Sequence, residues 1–288
     1  MKFSPAASSS SASPSKNNGP RATLVGASIE TYLLEKVRLV YQSPGERNYH
    51  IFYELFSLKY DEDSEDEYEE EEEEKELDDS NNNNSSPRES NSNLAERFGL
   101  LNYDMEDFRL INTSDTYDRR DGVSDVDTFH DMTRAMTVMG FTPTDQTSVF
   151  GVTAALLHAS NLTVQPIGEV ECALEMDNPH LEYVVDLLGI TKEGLNNALC
   201  YYEIIVGRGG AKGGEKHVRV LSQGQVEKGV EALIKATYGA MFQYLVGRIN
   251  DSVAGSGGGG GGGAGKESRV RRRGDSGIRE ASIGILVG

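Results

Sequence analysis

At 288 residues and a formal net charge of −18, the chain is long enough for one sizeable core once its low-complexity stretches are set aside. Fifteen acidic residues against one lysine lie between Asp61 and Asp79, so the remainder carries only about −4 and an acidic domain surface is excluded. Two widely spaced cysteines, Cys172 and Cys200, exclude a disulfide framework, and no apolar run approaches the roughly 18 residues of a membrane span. A cytoplasmic protein that contacts neither membrane nor nucleic acid is the expectation.

Residues 1–20 are rich in Ser, Ala, Pro and Asn and are expected to be disordered. From Thr23 to Leu33 the apolar positions alternate, which predicts a strand, and Ser43-Pro44-Gly45 predicts a turn. Tyr49, Phe52, Leu55 and Phe56 then recur at helical spacing until the acidic run. Residues 61–93 are expected to be a disordered acidic and Asn/Ser insertion between the 21–60 unit and a helical unit over 94–251.

Within that helical unit, start and stop signals are frequent. Ser124 is placed to cap a helix carrying Val126, Phe129, Met132 and Met136, with Gly140 at its end. Thr142-Pro143 and Asn178-Pro179 are N-cap and first-turn pairs, the second helix ending at Gly189. Thr191 opens a further helix expected to run through Leu195, Leu199 and Tyr202. A long helix is expected from Gln225 to Asn250, apolar on several sides and therefore buried in a larger assembly. Residues 252–281 form a glycine-rich, basic loop, and 282–288 have the pattern of a buried strand lacking its neighbours.

Motifs for chemistry are weak. Gly260–Lys266 approximates a phosphate-binding loop, but Glu267 stands where a hydroxyl should reach magnesium, and the glycines belong to a flexible run. The five histidines show no ligand spacing, and His158, near the end of an apolar helix, is expected to be a satisfied core residue. From these patterns alone the chain is a mainly helical domain with a few strands and no metal site.

Five segments, in order, resemble the myosin motor head. They are TLVGASIETYLLEKVRLVYQ (Thr23–Gln42) with GERNYHIFYELF (Gly45–Phe56), Leu100–Asp118 with DGVSD at Asp121–Asp125, MGFTPTDQTSVFGVTAALLHASNL (Met139–Leu162), Leu187–Tyr202, and EALIKATYGAMFQYLVGRIN (Glu231–Asn250). Ile283–Leu286 is similar to the strand that leads into the family's second switch loop, and Met1-Lys2-Phe3 to the one that follows its first. The resemblance implies a piece of a larger α/β P-loop-type motor domain with an incomplete central sheet. The piece is expected to be truncated between the two switch loops.

It also implies a function. The complete family motor is an actin-activated ATPase that uses ATP and magnesium and associates with the cytoskeleton. This chain carries no phosphate loop and neither switch loop, so no catalytic, nucleotide-binding or metal residue is assigned and ATPase activity is not expected from it alone. Its partners are expected to be the actin filament and the rest of the motor head. One actin-facing loop is expected near Val164–Asn178 and a second from Val206 to Gly224. Family members place an acidic or phosphorylatable residue sixteen positions before the start of the long-helix motif, here Glu231, which selects Glu215. Arg208, Lys212, Lys216, His217 and Arg219 are the accompanying actin-binding candidates. The alternative is a non-enzymatic actin-binding module.

Overall fold

Local hydrogen bonds at the helix starts set the frame. In the computed structural model, which describes residues 2–5, 22–31, 33–60, 89–169, 171–206 and 215–255, each cap anticipated in the sequence is formed. Ser124 accepts from the Asp127 N–H to open α4 (Asp125–Val138). Thr142 and Asp145 make a reciprocal capping box at the start of α5 (Pro143–Ala159), with Pro143 in the first turn where its missing N–H costs nothing. Asn178 opens α6 (Pro179–Leu188), and Gly189 closes it at φ 65°. Thr191 opens α7 (Lys192–Cys200) by accepting from the Gly194 N–H. Each such cap satisfies an otherwise orphaned donor and is worth about 1 kcal/mol.

The shorter helices complete the set: α1 (Ile51–Glu54), continued by a 3-10 turn over Leu55–Lys59, α2 (Asn91–Arg97) and α3 (Arg109–Asn112). The last element described is α8 (Gln223–Gly255), longer at both ends than its apolar stripe suggests. Around α5 the core closes on every side. From Val149 to Ala159 all eleven α5 residues are buried, which explains why this helix is apolar all round rather than amphipathic. Phe129 of α4 packs on Phe150, with ring centroids 5.1 Å apart. Tyr238 of α8 stacks on Tyr49 at 4.9 Å and meets Phe52 of α1 at 5.7 Å, so the two ends of the chain share one core.

Strands are few and local. Among the described residues they form three separate two-stranded antiparallel pairs: β1 (Lys2–Pro5) with β2 (Ala22–Gly26), β3 (Val164–Pro166) with β4 (Cys172–Leu174), and β5 (Tyr201–Val206) with β6 (Glu215–Val220). Two expectations need correcting here. The strand expected over Thr23–Leu33 stops at Gly26, which makes its last pairing with Lys2 of β1. Beyond it, Leu33 is 83 % exposed, and the Ile29 backbone is instead clamped by the Asn250 side chain, which donates to the Ile29 carbonyl and accepts from its N–H. Lys2–Pro5, inside the stretch expected to be disordered, is strand β1. The expected strand at 282–288, the glycine-rich loop beyond Gly255 and most of the acidic insertion lie outside the described residues.

Candidate functional site

Part of the second expected loop is regular structure. Residues 215–220 pair with 201–206 as an antiparallel ribbon, Gln223 and Gly224 already belong to α8, and residues 207–214 lie outside the described residues. Tyr201, Tyr202 and the β-branched residues at 204–206 of β5, with Val218 and Val220 of β6, favour this ladder over the coil expected from a glycine-rich sequence. Tyr202, expected at the end of a helix, is the second residue of β5, because the chain passes straight from α7 into extended backbone at Tyr201.

The ribbon is fastened at its base. The Leu221 N–H donates to the Cys200 carbonyl at 2.8 Å, and the Cys172 thiol donates to the Leu221 carbonyl at 3.1 Å. Immediately after, the Gln225 side chain accepts from both the N–H and the hydroxyl of Ser222, which directs the chain into α8. Burial pushes the Cys200 thiol up to about 11, so it is a packing residue rather than a nucleophile.

The candidate residues divide between these regions. Arg208 and Lys212 lie outside the described residues. Glu215 and Lys216 are the first two positions of β6, and His217, expected in a polar loop, is its third. Strand alternation sends positions 217 and 219 to one face and 218 to the other. Register places Tyr202 opposite Arg219 and position 204 opposite His217, so Tyr202 joins the His217–Arg219 face. His217 and Arg219 are exposed, as are Tyr202 at 59 % and Val218 at 60 %. The pairing thus brings Tyr202, His217 and Arg219 to one exposed face, with Glu215 and Lys216 at the start of the same strand.

The first expected loop, Val164–Asn178, contains the β3–β4 hairpin. Its base is tied by the Glu175 N–H donating to the Thr163 carbonyl and by the Asn178 side chain, which donates to the Asn161 carbonyl at 3.0 Å and the Thr163 hydroxyl at 2.7 Å. The Thr163 hydroxyl in turn donates to the Glu175 carboxylate. Cys172, Ala173 and Leu174 are all buried, and the Leu174 N–H donates to the Asn196 side chain of α7 at 2.9 Å. The outer strand is open to solvent: Gln165 and Pro166 of β3 are exposed, as is Ile167 beyond them at 60 %.

Two polar clusters carry no sequence signal of their own. Arg47 grips Asp125 through both terminal nitrogens, at 3.2 and 2.5 Å, and stacks over the Tyr53 ring at 3.8 Å. Arg119 grips Asp121 and lies within 4 Å of Glu54 and Asp125. Burial raises the Glu54 carboxyl above its usual range, and burial followed by the Arg119 and Arg47 charges lowers His50. Asp125 of the DGVSD segment thus ties Arg47, just before α1, to the start of α4, while Asp121 holds Arg119 beside Glu54 of α1. The second cluster is a pair of histidines: the fully buried His158 of α5 has its Nδ1 2.8 Å from Nδ1 of His180 on α6, and its Nε2 is 2.8 Å from the Phe98 carbonyl. His158 is the satisfied core residue its position suggested. That its partner is another histidine, 22 residues away, has no local pattern to reveal it.

No group of three or more potential metal ligands occurs among the described residues, and no described helix is long and apolar enough to cross a membrane. Comparison with known proteins then fixes the relationship. The Myosin head (motor domain) family matches residues 17–257. Unconventional myosin-Vb of Mus musculus is 28 % identical over 231 residues, covering 80 % of this chain and 10 % of the relative. Myosin IB heavy chain of Dictyostelium discoideum is 29 % identical, covering 80 % of this chain and 18 % of the relative. Myosin IC heavy chain of the same organism is 31 % identical over 225 residues, covering 78 % and 16 %. The chain thus spans less than a fifth of these relatives. With a family match that covers most of its length and the helical frame described above, this chain belongs to the myosin head (motor domain) family.

Proposed function

We propose that this chain is the filament-gripping part of an actin-based motor that couples ATP hydrolysis to movement. Phosphates and magnesium are handled by other parts of an α/β P-loop-type head. The observation that carries this reading is the exposed β5–β6 ribbon, fastened at its base to α7 and α8. A hydrogen-bonded ribbon that exposes His217, Arg219 and Tyr202 and carries Glu215 at the start of β6 offers a preformed backbone for binding at low entropic cost. Complementary potential then sets orientation and encounter rate more than total affinity. Tyr202, on the face of His217 and Arg219, supplies an aromatic of the kind that anchors interfaces.

Two features support Glu215 as the acidic contact. It lies sixteen residues before Glu231 without a gap, and Glu231 itself is in α8, where the resemblance puts it. Being a fixed carboxylate, it needs no kinase to supply the charge. In a complete head carrying this segment, Glu215→Ala is expected to lower actin-activated ATP turnover several-fold at low salt. Unchanged activation at low ionic strength, where screening is weakest, would sink the assignment.

A further inference from the structure

The buried histidine pair is tied to the base of the β3–β4 hairpin through one amide whose orientation is fixed. Asn161 Oδ1 accepts from the Arg109 N–H at 3.0 Å, and its Nδ2 donates to the Asp107 carbonyl at 2.6 Å. Turning the amide over would set donor against donor and acceptor against acceptor, so Nδ2 is the nitrogen. That same Nδ2 lies 3.2 Å from Nε2 of His180. A nitrogen that already bears hydrogens can only donate, so His180 Nε2 must be bare and its proton must sit on Nδ1. Nδ1 of His158, 2.8 Å away, must then accept, which leaves the His158 proton on Nε2, pointed at the Phe98 carbonyl 2.8 Å off. Every proton in the chain from Asn161 to Phe98 is thereby assigned.

We infer that this one-way hydrogen-bond chain is a proton-intolerant latch holding the β3–β4 hairpin to the core. A proton added at His180 Nε2 would face the Asn161 amide donor, which Arg109 and Asp107 keep from turning over. The same Asn161 receives the Asn178 side chain on its carbonyl, and Asn178 holds Thr163 at the hairpin base. Loosening His180 therefore loosens the segment it brackets.

The groups around the pair agree in direction. Burial is the main influence lowering both rings, and His158 is held at about 4. From the 103–112 segment, Asp107 favours a charge on His180 and Arg109 opposes it, while Tyr103 and Phe108 offer only ring faces. From α6, Tyr183 stacks on His158 at 4.5 Å, and from α2 only the Phe98 carbonyl approaches. The latch stands on this geometry alone. Its consequence for filament contact, acid weakening of the hairpin expected to form the first actin-facing loop, rests on the proposed function.

Nitrogen-15 imidazole spectra of the 288-residue chain at pH 7.5 test the assignment directly. The proton is expected on Nδ1 of His180 and on Nε2 of His158, and a proton on His180 Nε2 would overturn the latch. Amide hydrogen exchange, corrected for intrinsic rates, tests its release. If opening frees a ring of ordinary pKa, protection of residues 164–174 should fall roughly tenfold between pH 7.5 and 5.5 relative to 201–206. His180→Gln should remove that step. A step that persists in His180→Gln, or no step in the unaltered chain, defeats the proposal. Should His180→Gln not fold, the spectra of the unaltered chain still decide. Loss of actin contact with the latch intact would count against the proposed function alone.

Discussion

The two hairpins that flank α6 and α7 are built from similar material and put to opposite uses. β3–β4 buries all three residues of its second strand and is tied at its base by three side chains, Thr163, Glu175 and Asn178. β5–β6 is twice as long and fastened only where it leaves the core, and it exposes large side chains on both faces, Tyr202 on one and Val218 on the other. One hairpin is a wall of the core and the other a projection from it. Interaction surface thus comes from strand length beyond the last core contact rather than from hairpin sequence as such.

Substitutions that treat the hairpins as equivalent should break this contrast. The largest effect is expected at Leu174→Ala, which empties a fully buried site in β4 and should cost about 2–5 kcal/mol in chemical denaturation. A loss below about 1 kcal/mol would show that β4 is not part of the core. Acid should act next. Both histidines are lowered in the fold, so the stability they contribute is complete above the ordinary histidine value of about 6.5 and drains away as pH falls through the folded values, reaching about 4 for His158. On the order of 3 kcal/mol should be lost across that window, most of it from His158. A melting temperature flat from pH 7 to 4.5 would contradict this.

Asn196→Ala should follow, at about 1–3 kcal/mol, since it strands the buried Leu174 N–H. Its signature is faster exchange in β3–β4 with β5–β6 unchanged. Smallest of all, Val218→Ala on the ribbon should alter stability by no more than about 0.5 kcal/mol. A cost several times larger would mean the ribbon is packed against something and cannot be a free surface.

What could be read from the sequence was what is local. Ser124, Thr142, Asn178 and Thr191 mark helix starts because a cap and its donor lie within three residues, and all four were legible. Strand ends were not, because a ladder stops where its partner stops, and β1 is some twenty residues from β2. The ribbon at 215–220 was read as loop because glycines at 209, 210, 213 and 214 dominate the local impression, whereas cross-strand partners decide. Of the candidate residues, counting back from Glu231 selects Glu215 as a proposal, whereas only the pairing of β5 with β6 sets Tyr202 opposite Arg219. His158 with His180, and Arg47 with Asp125, join residues 22 and 78 apart and left no periodic trace.

The clamp between Asn250 and Ile29 has a mechanical side. α8 is 33 residues long, a rod of about 50 Å, rooted at Leu221 beneath the exposed ribbon and pinned near its far end to the backbone just beyond β2. A helix carries axial load with little extension, so a tug on the ribbon would arrive at Ile29 as displacement rather than be absorbed along the way. Two hydrogen bonds from one asparagine are a light coupling for such a strut. With Gln243 also donating to the Thr31 hydroxyl, Asn250 makes the segment after β2 follow the far half of α8.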